Sequence, residues 1–161
     1  MTDTAYPSCI RELYESEIFG EAASLAVLDA ADNERDRYHF GTLLQLETET
    51  KARLRPFLAK YALSMSEEMD LGDIAAIVAS YKEGGMIGFA KANAPVVENF
   101  LARFKEIAAT GPDEDQDVLQ SMLRHETAIL NWMNAEAKGP TEGSLDGIIA
   151  ELNYPMPKPG R

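Results

Sequence analysis

Glutamate stands where four stretches of helical periodicity should be apolar, and this fixes more about the chain than any other feature. The first stretch presents Ile10, Leu13, Glu17, Glu21, Ser24 and Leu28 on one face, and the second Leu43, Glu47, Thr50, Leu54, Phe57 and Tyr61. The fourth reads Leu119, Met122, Leu123, Glu126, Ile129, Leu130 and Met133. In the third, Val97, Leu101, Phe104 and Ala108 form the stripe and Glu98 borders it. Spacings of three and four put these residues on one side of a helix, the side that a bundle buries. A carboxylate buried there without a partner costs more than one hydrogen bond returns. A chain that repeats the feature on successive helices therefore binds cations at that level or shares protons there.

Strand signals are nearly absent, and Ala, Leu, Glu, Lys and Arg favour helix. The periodicity predicts long helices over about 8–31, 35–61, 90–109 and 113–138, in one domain covering 1–161. Asp32, Asn33 and Glu34 form the first turn, and Gly111-Pro112 the second. Between the two hairpins, Ser66-Glu67-Glu68 reads as a helix start. Ile74, Ile77, Val78 and Tyr81 suit a short amphipathic helix, before Gly84, Gly85 and Gly88 loosen the chain. A short helix over 144–152 and a proline-spaced, weakly ordered tail complete an extension from 140. The plan is an all-α four-helix bundle: two antiparallel hairpins joined by a long crossover.

Residues equally far from a tight turn lie at one level. About the first turn, Glu17 is level with position 49, bracketed by Glu47 and Thr50. About the second, Glu98 is level with position 125, next to Glu126. One inward Glu on helices one and three, with Glu-x-x-His on helices two and four, is the di-iron carboxylate pattern. Over its first 138 residues or so the chain resembles the ferritin-like superfamily that includes rubrerythrins and ferritins. The resemblance implies a metal centre of Glu17, Glu47, Glu98 and Glu126, with Glu21 competing on helix one. It also implies iron or manganese and oxygen or peroxide chemistry at a metal pair. Thr50 and Ile129 stand where that pattern has histidine, and an all-oxygen set favours Mg²⁺, Mn²⁺ or Ca²⁺ over iron. His125 is placed on the flank of helix four, near Ser121 and Trp132, as a reserve ligand if that helix is rotated. His39 is two turns from Glu47, too distant to share an ion with it.

The alternative is a bundle that has lost its metal and binds a small molecule or a partner protein, with no cofactor. Hydrophobic faces on the short helices suit a homodimer interface. Fifteen basic against 27 acidic residues give a net charge of −12, which repels nucleic acid and anionic membranes. One cysteine, Cys9, excludes an internal disulfide and a thiolate cluster. No run reaches a membrane span, and the first seven residues lack the regions of a signal peptide, which points to a soluble, cytoplasmic protein. Gly84-Gly85-Met86-Ile87-Gly88 lacks the Lys-Ser or Lys-Thr of a phosphate loop. Tyr14, Tyr38, Tyr61 and Trp132 read as core residues before redox ones.

Overall fold

The computed structural model describes residues 5–160, all of whose regular elements are helical. Met1 to Thr4, part of the stretch read for a leader, lie outside the described residues. The elements are α1 (Ala5–Ala30), α2 (Glu34–Lys60), α3 (Ile74–Thr110), a 3₁₀ turn (Asp113–Asp115), α4 (Gln116–Glu136) and the one-turn α5 (Asp146–Ile149). No helix among them is long and apolar enough to cross a membrane.

Asn33 starts α2 as an N-cap, its side chain accepting the Asp36 N–H at 2.9 Å, so the first turn closes within three residues. α1 packs along α2, and α3 along α4. Tyr14 meets Arg55 and Glu21 meets Lys51, which makes the first pair antiparallel. Glu12 with Arg103 and Phe19 with Phe100 set α3 antiparallel to α1. Arg35 with Glu136 and Thr50 with His125 set α4 antiparallel to α2. α2 and α3 therefore run the same way, and the connection over 61–73 must travel the length of the bundle. It does so along α1, held by Arg11 to the Ser64 carbonyl and by Tyr14 to Glu67.

The sequence expectations need four corrections. Ser66 starts no helix: residues 63–73 are irregular, and the crossover helix begins after Asp73, whose carboxylate accepts the Ala76 N–H. That helix and the third long one form a single rod, bent at Gly85. The bend needs φ +62° and ψ −159°, a region open to glycine and closed to side-chain-bearing residues. The helix expected over 144–152 shrinks to Asp146–Ile149. The tail is pinned at its start, because Glu49 accepts the backbone N–H groups of Asn153 and Tyr154 at 2.7 and 2.8 Å.

The apolar interior falls into two clusters. One, toward the α1–α2 turn, gathers Val27, Phe40, Leu43, Phe89, Trp132 and Ile148. The other, toward the α3–α4 turn, gathers Ile10, Leu13, Tyr14, Leu58, Phe104 and Leu119. A polar layer lies between them.

Candidate metal centre

The polar layer consists of Glu17 from α1, Glu47 and Thr50 from α2, and His125 and Glu126 from α4, all buried. The level argument for α1 and α2 therefore brings Glu17 and Glu47 together. His125 enters this layer rather than the flank. α4 buries ten residues, Val118, Leu119, Ser121, Met122, His125, Glu126, Ile129, Trp132, Met133 and Glu136. A face wide enough to meet α2 on one side and α3 on the other accommodates 125 and 126 together. The Ser121, His125, Trp132 edge of that face is the signal that a single narrow stripe passes over.

The His125 ring is oriented by Thr50. Thr50 Oγ1 lies 2.9 Å from both the Leu46 carbonyl oxygen and His125 Nδ1. A carbonyl can only accept, so the single hydroxyl hydrogen goes to Leu46, and Nδ1–H donates to Thr50. Thr50 is thus the support of the imidazole rather than the site of a missing one. His125 Nε2 then points into the layer, 3.4 Å from Glu17 Oε2, 3.5 Å from Glu47 Oε2 and 3.7 Å from Glu126 Oε2. Among the described residues three buried side-chain polar atoms lack a hydrogen-bond partner: Glu17 Oε2, His125 Nε2 and Thr42 Oγ1. Two of the three face each other here.

One ligand atom each from Glu17, Glu47 and His125 lies within 4.8 Å of the others. Atoms about 2.1 Å from a shared ion stand roughly 3.0–3.4 Å apart at octahedral or tetrahedral angles, so little movement would close the set. The electrostatics agree. Burial, reinforced by the carboxylates of Glu47 and Glu126, pushes the Glu17 pKa well above the usual carboxylate range. Burial pushes that of Glu126 up to about 8, against the opposing pull of His125. For His125 burial works downward, and the carboxylates of Glu47 and Glu126 outweigh it, leaving the pKa raised. Without a cation the layer holds protons in place of one.

The other candidates go elsewhere. Glu98 is exposed on α3 and does not converge with the centre; its height is right and its face is wrong, since Val97 takes the inward position. Glu21 accepts from Lys51 Nζ at 2.9 Å and Thr48 Oγ1 at 2.7 Å, on the outside of the α1–α2 seam. His39 accepts the Trp132 indole N–H at Nδ1, 3.0 Å away, and belongs to the upper core. Gly20 is a site residue that the stripe reading omits. A Cβ there would stand 2.6 Å from Glu47 Cδ and Oε2, so the carboxylate of Glu47 lies against the bare backbone of α1. A glycine mid-helix costs about 1 kcal/mol relative to alanine, and one on the Glu17–Ser24 face is a legible sign of close approach.

Beside the centre is a cavity of about 80 Å³. Glu17, Glu47 and Glu126 form its polar end, and α3 supplies apolar wall through Phe89, Val97 and Phe100, with Asn93 beside them. The side of the centre that faces α3 thus carries no carboxylate. No protein-family model, no curated protein and no solved structure matches the chain.

Proposed function

We propose that this chain is a ferritin-like metal protein that binds one divalent ion, iron or manganese, through Glu17, Glu47 and His125, with Glu126 beside them. The observation that carries the reading is the pair of buried, partnerless atoms, Glu17 Oε2 and His125 Nε2, 3.4 Å apart. Carboxylate oxygens and a free imidazole nitrogen facing each other in a buried layer are the donor set of a cation site. The order of helix directions and the long crossover support the ferritin-like assignment. One imidazole and three carboxylates suffice for one ion. A second ion would need ligands from α3, and Glu98 faces solvent.

Iron or manganese held there would supply one-electron chemistry toward oxygen or peroxide. The chain's own contributions are distinct. Thr50 holds the His125 tautomer with Nε2 free to bind. Gly20 lets Glu47 lie against α1. Glu126, at the cavity's edge, has its pKa raised by burial to about 8 while no ion is present, and its carboxylate stands beside the ion when one is. The two apolar clusters exclude bulk water from above and below.

Elemental analysis of untagged protein, supplied with iron, manganese and zinc and desalted without chelator, tests this. The expected result is about one ion per chain, lost in Glu47→Gln and His125→Ala. No ion in the wild type, with a melting temperature unmoved by Mn²⁺ or Fe²⁺, would sink the reading and leave a proton-sharing carboxylate layer.

A further inference from the structure

An outer groove adjoins the cavity beside the centre. Ser16, Phe19, Val96 and Phe100 line the cavity and also line that groove of about 360 Å³, which Met69, Leu71 and Gly72 of the crossover line as well. The Phe19 and Phe100 rings, 6.2 Å apart between centroids, stand where the two spaces meet. The two rings therefore stand between the surface groove and the three carboxylates. The inner space is about half the roughly 150 Å³ cavity that holds a benzene ring, so only the head of a ligand fits inside. Any longer body must lie in the outer groove.

Charge selects the head. Glu17, Glu47 and Glu126 already form the polar end, and Glu12, Glu15 and Asp70 rim the outer groove. With no ion bound, an anion would give up its hydration at an inner end where His125 is the one basic group among the described residues, a cost that a neutral head does not bear. A cationic head would compete with a divalent ion for the same oxygens. Asn93 adds an acceptor at the inner wall: its Nδ2 is occupied by the Phe89 carbonyl at 2.8 Å and Ser80 Oγ at 3.2 Å, leaving Oδ1.

We propose that cavity and groove together receive a neutral, mostly apolar molecule. Its single hydroxyl-type head lies at the Glu17–Glu47–Glu126 end, and its hydrocarbon body runs out past Phe19 and Phe100. This rests on the metal-centre reading in naming what that centre receives.

The test titrates 1-butanol, 1-hexanol and 1-octanol, with hexanoate and hexylamine as charged counterparts, into the full chain with and without Zn²⁺. Binding is read from the methyl NMR signals of Ala23, Val96 and Val97. Affinity should rise roughly fourfold per added methylene, hexanoate should bind at least tenfold more weakly than hexanol in the Zn²⁺-free form, and Val97→Trp should remove binding while the fold persists. If Val97→Trp fails to fold, Ala23→Leu serves as the cavity-filling variant. Saturating hexanol that leaves these methyl signals unmoved in both forms overturns the inference, even where Zn²⁺ binds. Hexanoate binding as tightly as hexanol without Zn²⁺, or hexylamine displacing Zn²⁺ and binding in its place more tightly than hexanol, also overturns it. Hexanol binding with no Zn²⁺ uptake supports the cavity assignment and counts against the metal centre alone.

Discussion

Two buried carboxylate sites in this bundle are handled in opposite ways. At the end near the α3–α4 turn, the fully buried Asp115 side chain accepts from Lys60 Nζ at 2.7 Å, Tyr61 Oη at 2.6 Å and Tyr6 Oη at 3.0 Å. Burial alone would raise its pKa, but Lys60 and the two phenols outweigh it and hold Asp115 below the usual range. Glu136 is treated likewise at the other end, taking both Arg35 Nη2 contacts at 2.8 and 2.9 Å and the Ser144 hydroxyl at 2.6 Å. In the middle, Glu17, Glu47 and Glu126 have no basic group among the described residues within 4 Å except His125. Lys51 is committed to Glu21 and Glu67 and Arg124 to Glu151, while Arg53 lies near enough to oppose protonation of His125 but forms no ion pair with these carboxylates. The fold supplies cations to buried carboxylates where they serve structure. Where it withholds them, the counter-charge is a proton or an ion from solution.

The largest expected effect comes from removing a carboxylate of each kind. Asp115→Ala strands two phenols and loses a charge-assisted bond, and should cost about 3 kcal/mol, or roughly 10 °C in melting temperature. Glu126→Gln in metal-free protein should leave the melting temperature at pH 8 unchanged or raised. Equal destabilisation by both would erase the distinction between the two sites.

A pH series on metal-free protein follows in size. Glu17, Glu126 and His125 all have folded-state pKa values above their unfolded ones, so the stability they contribute is present at low pH and lost as pH rises through the folded values. His39, held down to about 4 mainly by burial, acts in the opposite sense below its unfolded value near 6.5. From about one unit above that value His39 is neutral in both states, so the window from about pH 7.5 to 8.5 separates the centre from it. Melting temperature should fall there by on the order of 5 °C, and a saturating divalent ion should reverse the slope. A flat profile would mean that the layer is wet and its carboxylates unperturbed.

Gly20→Ala sharpens the comparison further. Its methyl group meets the mobile end of Glu47 rather than backbone, so metal-free stability should change by less than about 1 kcal/mol while affinity for Mn²⁺ falls roughly tenfold. A loss of stability without loss of affinity would make Gly20 a packing residue. Glu98→Gln should change neither ion content nor stability measurably, since its side chain is exposed.

Periodicity and turn chemistry make the four long helices, the two hairpins and the Glu17–Glu47 level legible in the sequence, because each depends on neighbours within a turn or two. The second half of the site was not legible in the same way. Whether Glu98 or Val97 faces inward depends on a rotation of α3 of about 100°, set by what α1 and α4 pack against it. Ser66 resembles a helix start in isolation, yet the chain there stays irregular while it runs along α1.

The sequence by itself determined that this chain forms an all-helical bundle and buries carboxylate among its apolar stripes, since helix formation and amphipathic burial are local consequences of residue order. Tertiary structure alone decided that the layer contains an imidazole, that Thr50 orients it, that Glu98 is outside, and that Gly20 admits Glu47. Those outcomes depend on how four helices rotate against one another, and that rotation follows from side chains far apart in the chain filling one interior.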